Sequence, residues 1–179
     1  MKVMEFGVGH GLPLMTVCKC LPAPAACSFA GLDYNSDTVR EKTWPNVVGN
    51  FGINSSAAWR MWGGDWNGLG LDVEEHQYDL LLFSETVYNV KTTEDTANLI
   101  SRHLRDGGLA VVAGKDFYFG VGGGMNLFRD VCGVSGVEIL EGEGWKWDSG
   151  GGNVRSVVVC RKKGGEEMEV DGSGADRGA

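Results

Sequence analysis

The run Val3-Met4-Glu5-Phe6-Gly7-Val8-Gly9-His10-Gly11 constrains this chain more than any other segment. It reads as a short apolar strand ending in an acid, then three alternating glycines, then an amphipathic helix over residues 12–21. Glycines lack Cβ, so such a loop can turn sharply and let a ligand lie against the backbone. The helix that follows directs free N–H groups at that ligand. This is a ligand-binding loop of the Rossmann-like kind. Dinucleotide sites space their glycines G-x-G-x-x-G, which seats a pyrophosphate on the helix start. Here the order is Glu-x-Gly-x-Gly-x-Gly, and the acid would repel a pyrophosphate. Glu5 could instead hold a ligand's ammonium group, directly or through water, and S-adenosylmethionine carries such a group. The alternative is a tight strand–helix turn without a ligand.

Strand-like and helix-like segments alternate from this point on, which is the pattern of a parallel α/β sheet. Strands are expected at residues 2–6, 28–32, 58–62, 78–83 and 109–113, with a closing antiparallel pair at 137–140 and 154–160. Helices are expected at 12–21, from Ser36 to about Lys42, at 93–105 and at 126–131. Pro45 should break the second helix, because proline lacks a donor and restricts the residue before it. Gly107-Gly108 should stop the third. Residues 67–77 read as a loop. The domain is expected to span 1–161, and residues 162–179, rich in glycine and acid, to form a disordered tail with almost nothing to bury.

A chain of 179 residues suits one domain. No apolar run approaches the roughly 20 residues that span a bilayer, and no signal-peptide layout opens the sequence. The expectation is a soluble protein of the cytoplasm or nucleus with no membrane contact. The five cysteines include no C-x-x-C pair, so neither a disulfide framework nor a zinc cage is supported. His10, His76 and His103 have no metal-ligand partners at useful spacing, so no metal is expected. A net charge of −8 argues against direct nucleic-acid binding and is compatible with a basic protein partner.

In an open α/β sheet, ligands bind beyond the carboxyl ends of the strands. Asp33 lies there, about 20 residues past the glycine loop, where an acid can accept from both ribose hydroxyls. Its other reading is the cap of the next helix. Asp65-Trp66 ends the third strand, either as adenine acceptor and stacking ring or as an Asx turn and a core tryptophan. Ser84-Glu85-Thr86-Val87-Tyr88 ends the fourth strand, beside the expected reactive end of the cofactor. Residues 115–124 place three aromatics beside a glycine run, suited to clamping a flat or cationic group or serving as a flexible connection.

Together these segments resemble the histidine-protein methyltransferase family of the seven-strand, S-adenosylmethionine-dependent methyltransferase superfamily. The family's Gly-x-Gly-His-Gly-Leu-Pro loop matches residues 7–13, its Asp-Tyr-Asn residues 33–35 and its Pro-Asn-Val residues 45–47. Gly-Asp-Trp matches 64–66, Ser-Glu-Thr-x-Tyr-Asn 84–89 and Tyr-Phe-Gly-Val-Gly-Gly-Gly 118–124. The resemblance implies a Rossmann-like, mostly parallel seven-strand sheet with a C-terminal antiparallel strand. It implies cofactor contacts from Gly7, Gly9, Gly11, Asp33, Tyr34, Asn35, Gly64, Asp65, Trp66 and Ser84, joined by Glu5 from the loop reading. Family members act on a histidine in a protein, the best-known target being a large-subunit ribosomal protein, so a basic ribosomal protein is the expected partner. Two departures stand out. Val8 and Leu14 replace a smaller cysteine and glycine, and the family's preceding tryptophan-containing segment, which helps cover the cofactor, is missing here.

The implied reaction is attack by an imidazole nitrogen on a sulfonium methyl carbon. Neutral histidine needs no strong base at pH 7, so positioning should dominate. Glu85 is the candidate for holding the other imidazole N–H, with Tyr88 and Tyr118 lining the pocket and favouring the developing cation through their rings. The rivals are a methyltransferase for another nucleophile and a non-catalytic binding module of the same fold. A nicotinamide oxidoreductase comes last, because the glycine spacing is wrong for it.

Overall fold

Lys2–Phe6 (β1) is buried from Val3 onward, and a strand covered on both faces belongs at the centre of a sheet. The structure, a computed structural model, describes residues 1–66, 77–148, 150 and 154–163. In it β1 pairs in parallel with Ser28–Asp33 (β2) on one side and Tyr78–Ser84 (β4) on the other. Ala58–Gly63 (β3) adds to β2 and Leu104–Lys115 (β5) to β4, both in parallel. Val154–Lys162 (β8) then runs antiparallel to β5. Its outer edge is shared by Val137–Ile139 (β6) and Trp145–Asp148 (β7), each antiparallel to it. The strand order is β3-β2-β1-β4-β5-β8-β6, with β7 beside β8.

Alternate residues of a strand point to opposite faces, so each strand feeds two cores. On one face Val3, Phe29 and Leu82 pack with Leu14 and Cys18 of the helix Leu12–Cys20 (α1). Val8 joins this core and lies close to Gly31, while Leu14 is fully buried, so the two larger residues are absorbed by packing under α1. On the other face Met4, Phe6, Leu81, Phe83 and Val112 meet Ile100, Met125 and Phe128 of two later helices. Those helices are Val90–His103 and Met125–Val134, numbered α4 and α5 below.

Three expectations are corrected. Pro45 does not break the second helix. Ser36–Thr38 (α2), a π-helical turn Val39–Thr43 and Trp44–Phe51 (α3) form one continuous run. The Trp44 N–H reaches back to the Val39 carbonyl, and this widened turn accommodates the donor that Pro45 lacks. α4 starts at Val90, earlier than expected, because Asn89 and Thr92 form a capping box with Thr92 N–H to Asn89 Oδ1 at 2.8 Å. It ends at His103, and Gly107-Gly108 lies inside β5 rather than stopping a helix. The pairing with β4 shifts register there, and Gly107 (φ 71°) supplies the left-handed residue this irregularity requires.

β7 was not anticipated and brings the strand count among the described residues to eight. Lys162 still pairs with Val137 in β8, one residue beyond the expected boundary at 161. The expected tail past Lys163, and the loop at 67–76 with His76, lie outside the described residues. Among the described residues no helix is long and apolar enough to cross a membrane.

Candidate active site

The carboxyl ends of β1, β2, β3, β4 and β5 open on one edge of the sheet, and all of the expected site residues collect there. Gly7, Gly9 and Gly11 all take positive φ (68°, 50° and 76°), as the loop between β1 and α1 demands. The Gly7 and Val8 N–H groups both donate to the Leu32 carbonyl, at 2.8 and 3.0 Å. Gly9 N–H donates to Asp33 Oδ2 at 2.9 Å. Two residues with no role assigned from the sequence hold the loop from the other side. Thr43 Oγ1 donates to the Gly9 carbonyl at 2.5 Å, and Asn46 Nδ2 to that of His10 at 3.0 Å. Asn46 sits in the Pro-Asn-Val motif, which was the signal available.

Glu5 is 1% exposed and accepts the Leu14 N–H at 3.0 Å. It therefore ties β1 to the first turn of α1 from beneath the loop. Burial pushes its carboxyl up to about 8; the Leu14 bond pulls the other way and the charge of Asp33 adds to the rise.

Asp33 is not a helix cap. Asn35 is, accepting the Asp37 N–H at 2.9 Å. Asp33 Oδ1 accepts Asn35 N–H at 3.0 Å, and each carboxylate oxygen keeps a lone pair for a further donor. Gly64 N–H donates to the Asp33 carbonyl at 2.9 Å, which joins the ends of β2 and β3. Beyond them Tyr34, Asp65, Trp66, Tyr88, Lys91 and Thr92 border a cavity of about 260 Å³. Trp66 is half-buried and meets Phe6 edge-on at 6.4 Å, so its ring is partly core. Its Nε1–H is buried with no acceptor among the described residues.

At the ends of β4 and β5, Ser84 is exposed and Glu85 takes a left-handed backbone, φ 57°. A non-glycine residue held there is strained, and such strain clusters at functional sites. The Tyr118 hydroxyl donates to Glu85 Oε2 at 2.6 Å, and Arg155 Nη2 stands 3.7 Å from Oε1. Burial, then the bond to Glu85, pushes the Tyr118 hydroxyl up to about 12, so it keeps its proton. The three residues expected to carry the chemistry divide here. Glu85 and Tyr118 touch, whereas Tyr88 lines the cavity with Tyr34. The Tyr118 ring faces Lys115 Nζ at 5.5 Å.

In the glycine run after Tyr118, Gly123 and Gly124 are close-packed. A Cβ at Gly123 would lie 2.3 Å from the Tyr88 carbonyl carbon, and Asn89 forms an antiparallel bridge with Gly122. Asp116, missed from the sequence, is buried at the start of this segment. It accepts from Ser156 Oγ at 2.5 Å and meets Lys146 Nζ at 2.7 Å. Burial alone would raise its carboxyl, but those two partners outweigh that and hold it below the usual range.

The residues fit an adenosyl cofactor: glycines without side chains at the loop, a carboxylate with free lone pairs at the end of β2, and an aromatic ring and a carboxyl group, Trp66 and Asp65, bordering the cavity. Among the described residues no set of His, Cys, Asp and Glu side chains converges on a metal-sized site.

No protein-family model matches the chain. It is similar to a histidine protein methyltransferase 1 homolog of Dictyostelium discoideum, 38% identical over 130 residues, or 73% of this chain and 40% of that protein. It is also similar to histidine protein methyltransferase 1 of Schizosaccharomyces pombe, 41% identical over 162 residues, or 71% of this chain and 47% of that one. The chain thus spans less than half the length of these relatives. Among solved structures, the PH0226 protein of Pyrococcus horikoshii aligns with TM-score 0.67 at 12% identity, covering 90% of this chain and 82% of that one. The arsenic(III) S-adenosylmethionine methyltransferase of Chlamydomonas reinhardtii aligns at 0.68 and 14%, covering 94% and 65%. This is a Rossmann-like methyltransferase fold. Relatives and structural neighbours together point to the S-adenosylmethionine-dependent methyltransferase superfamily, and the loop, Asp33 and Glu85 stand at the carboxyl ends of the parallel strands.

Proposed function

We propose that this chain is an S-adenosylmethionine-dependent methyltransferase that modifies a histidine side chain in a basic protein, a ribosomal protein being the expected kind of target. The observation that carries the reading is the pairing of Asp33 on the glycine loop with a strained, hydrogen-bonded Glu85 two strands away. The relatives named as histidine protein methyltransferases supply the choice of acceptor.

When bound, the cofactor supplies an electrophilic methyl group on a sulfonium. Asp33 would hold the ribose through its remaining lone pairs, and Asp65 and Trp66 the adenine. Gly64 and Asn35 shape the backbone around them. Glu85 would accept an N–H of the target imidazole, which fixes the tautomer and leaves the other nitrogen's lone pair free to attack. Its charge would also stabilise the imidazolium that forms, and the proton then leaves to Glu85 or solvent. Tyr118 keeps the carboxylate aimed by donating to Oε2.

The test is calorimetry with S-adenosylhomocysteine, together with transfer of labelled methyl from the cofactor to a basic ribosomal-protein fraction and mapping of the modified residue. The wild-type chain should bind the ligand and label histidine. Asp33→Ala should weaken binding at least about tenfold, since hydrogen bonds to a charged group contribute about 1.5–3 kcal/mol. Full affinity in that variant would sink the assignment, and label on lysine would redirect the acceptor.

A further inference from the structure

Lys115 and Arg155 stand directly opposite each other where β5 pairs with β8. Cross-strand partners share one face of a sheet, with Cβ atoms about 5 Å apart, and like charges placed there destabilise it. Both cations are nonetheless committed to the acceptor end of the site. Arg155 Nη2 stands 3.7 Å from Glu85 Oε1, and Lys115 Nζ lies 5.5 Å over the ring of Tyr118, whose hydroxyl donates to Glu85 Oε2. Tyr118 keeps its proton and adds no charge. Glu85 therefore sets one negative charge against two cations, and the local balance is positive. Among the described residues the neighbouring acids do not reverse it. Asp116 is taken by Ser156 and Lys146, Asp95 by Lys91, and Asp148 of β7 accepts the Gly150 N–H. Asp33 and Asp65 lie at the ends of β2 and β3, on the cofactor side of the cleft.

We infer that Lys115 and Arg155 act as a charge filter on the nucleophile: they compensate Glu85, so that the acceptor end takes a neutral N–H donor such as imidazole and turns away an ammonium group. This rests on the methyltransferase reading and names the residues by which that site would separate histidine from lysine. A carboxylate standing alone would favour ammonium, which carries a full charge and three donors. With Arg155 already beside Oε1, an entering ammonium meets two cations at close range, whereas an imidazole N–H needs only one acceptor lone pair. The two side chains also differ in what neutrality costs. Near pH 7 an imidazole with a reference pKa of about 6.5 is roughly three-quarters neutral, whereas a lysine at about 10.4 is neutral in roughly one molecule in 2,500. A site closed to cations would thus favour histidine before any shape is read. Arg155 is 52% exposed, so water screens part of its effect and the filter is partial.

The experiment measures binding of two side-chain analogues, 4-methylimidazole and butylammonium, to the full chain with S-adenosylhomocysteine present. Ligand-detected NMR at about pH 9 suits it, since the first is then neutral and the second protonated. The wild-type chain should hold methylimidazole at least about tenfold more tightly. In Lys115→Gln/Arg155→Gln, which bares the Glu85 charge, butylammonium should gain at least about tenfold while methylimidazole stays within about threefold. Arg155→Lys keeps the cation and should keep the wild-type preference. A merely structural role for Arg155 would weaken both analogues together, and that result would overturn the filter. So would equal affinities in the wild type, no binding of either analogue, or an unchanged preference in the double variant. The heat of S-adenosylhomocysteine binding, read at the other end of the cleft, separates the two claims. Preference without that heat would sink methyl transfer alone, and heat without preference would sink the filter alone.

Discussion

At the glycine-loop end of the cleft, main-chain atoms make most of the contacts that set the site. Gly7, Val8 and Gly9 donate, the Gly9 and His10 carbonyls accept, and Asp33 is the main carboxylate involved. At the acceptor end side chains do the work. Tyr118 meets Glu85 across 33 residues of sequence, and Arg155 approaches from β8, the strand beside β5. A site made of backbone is encoded by which residues can adopt the required φ, and so it is written locally. A site made of side chains exists only once distant segments have packed. Perturbing the acceptor end through its packing should therefore leave the loop intact, and the reverse should hold as well.

Gly123→Ala is the harshest way to break this separation. The added Cβ would lie 2.3, 2.4 and 2.5 Å from backbone atoms of Tyr88, Asn89 and Val87, none of which can rotate away. Overpacking of this kind costs about 1–3 kcal/mol or more. Chemical denaturation should show a loss of at least about 2 kcal/mol. Gly49→Ala, with nothing within 4 Å of its Cβ, should match or exceed the wild-type stability. Unchanged stability in Gly123→Ala would mean that the acceptor end is not close-packed.

Glu5→Gln sharpens the comparison from the loop side. The Glu5 carboxyl is raised from near 4.5 to about 8 by burial. Between those values the folded chain holds a proton that the unfolded chain has released, so stability is complete below about pH 4.5 and erodes as pH rises through 8. The erosion should be on the order of 3 kcal/mol in denaturant titrations from pH 5 to 8, and Glu5→Gln should flatten it. If a ligand ammonium reaches Glu5, S-adenosylhomocysteine binding at pH 7 should release a proton. Calorimetry in buffers of different ionisation enthalpy would register it in the wild type and not in Glu5→Gln. A pH-independent wild-type stability would show that burial is not felt at this carboxyl.

The same division decides what the sequence discloses. The five parallel strands and the glycine loop are legible because apolar runs and glycine spacing are local signals. The order of the loop, Asp33, Gly64 and Glu85 along one edge then follows from the parallel topology. The continuous helix through Pro45 was not legible, because a π-turn is set by the neighbouring chain and not by the proline. β7 was hidden for another reason. Trp145 and Trp147 are 71% and 68% exposed, so its four residues lack the alternation that marks a half-buried strand. The Asp116–Ser156–Lys146 cluster joins three segments and carries no motif. The glycine run read equally as a flexible connection, and only the packing against Val87–Asn89 decides otherwise.

Tyr118→Phe makes the smallest expected change and the most discriminating one. It deletes the hydroxyl that donates to Glu85 Oε2 at 2.6 Å and leaves the ring, with Lys115 above it, in place. Glu85 keeps Arg155 at 3.7 Å, a longer and weaker restraint, so its carboxylate should sample orientations that miss the imidazole. The expected result is a fall in kcat of about tenfold, equivalent to about 1.4 kcal/mol, with S-adenosylhomocysteine affinity within about twofold of wild type. The pH profile separates aiming from proton transfer. With its hydroxyl held up to about 12, Tyr118 stays protonated through pH 10, so losing it should lower the whole profile without moving the alkaline limb. An alkaline limb that shifts would give the hydroxyl a role in moving the proton. A matching loss of cofactor affinity would show that the two ends of the cleft are coupled after all.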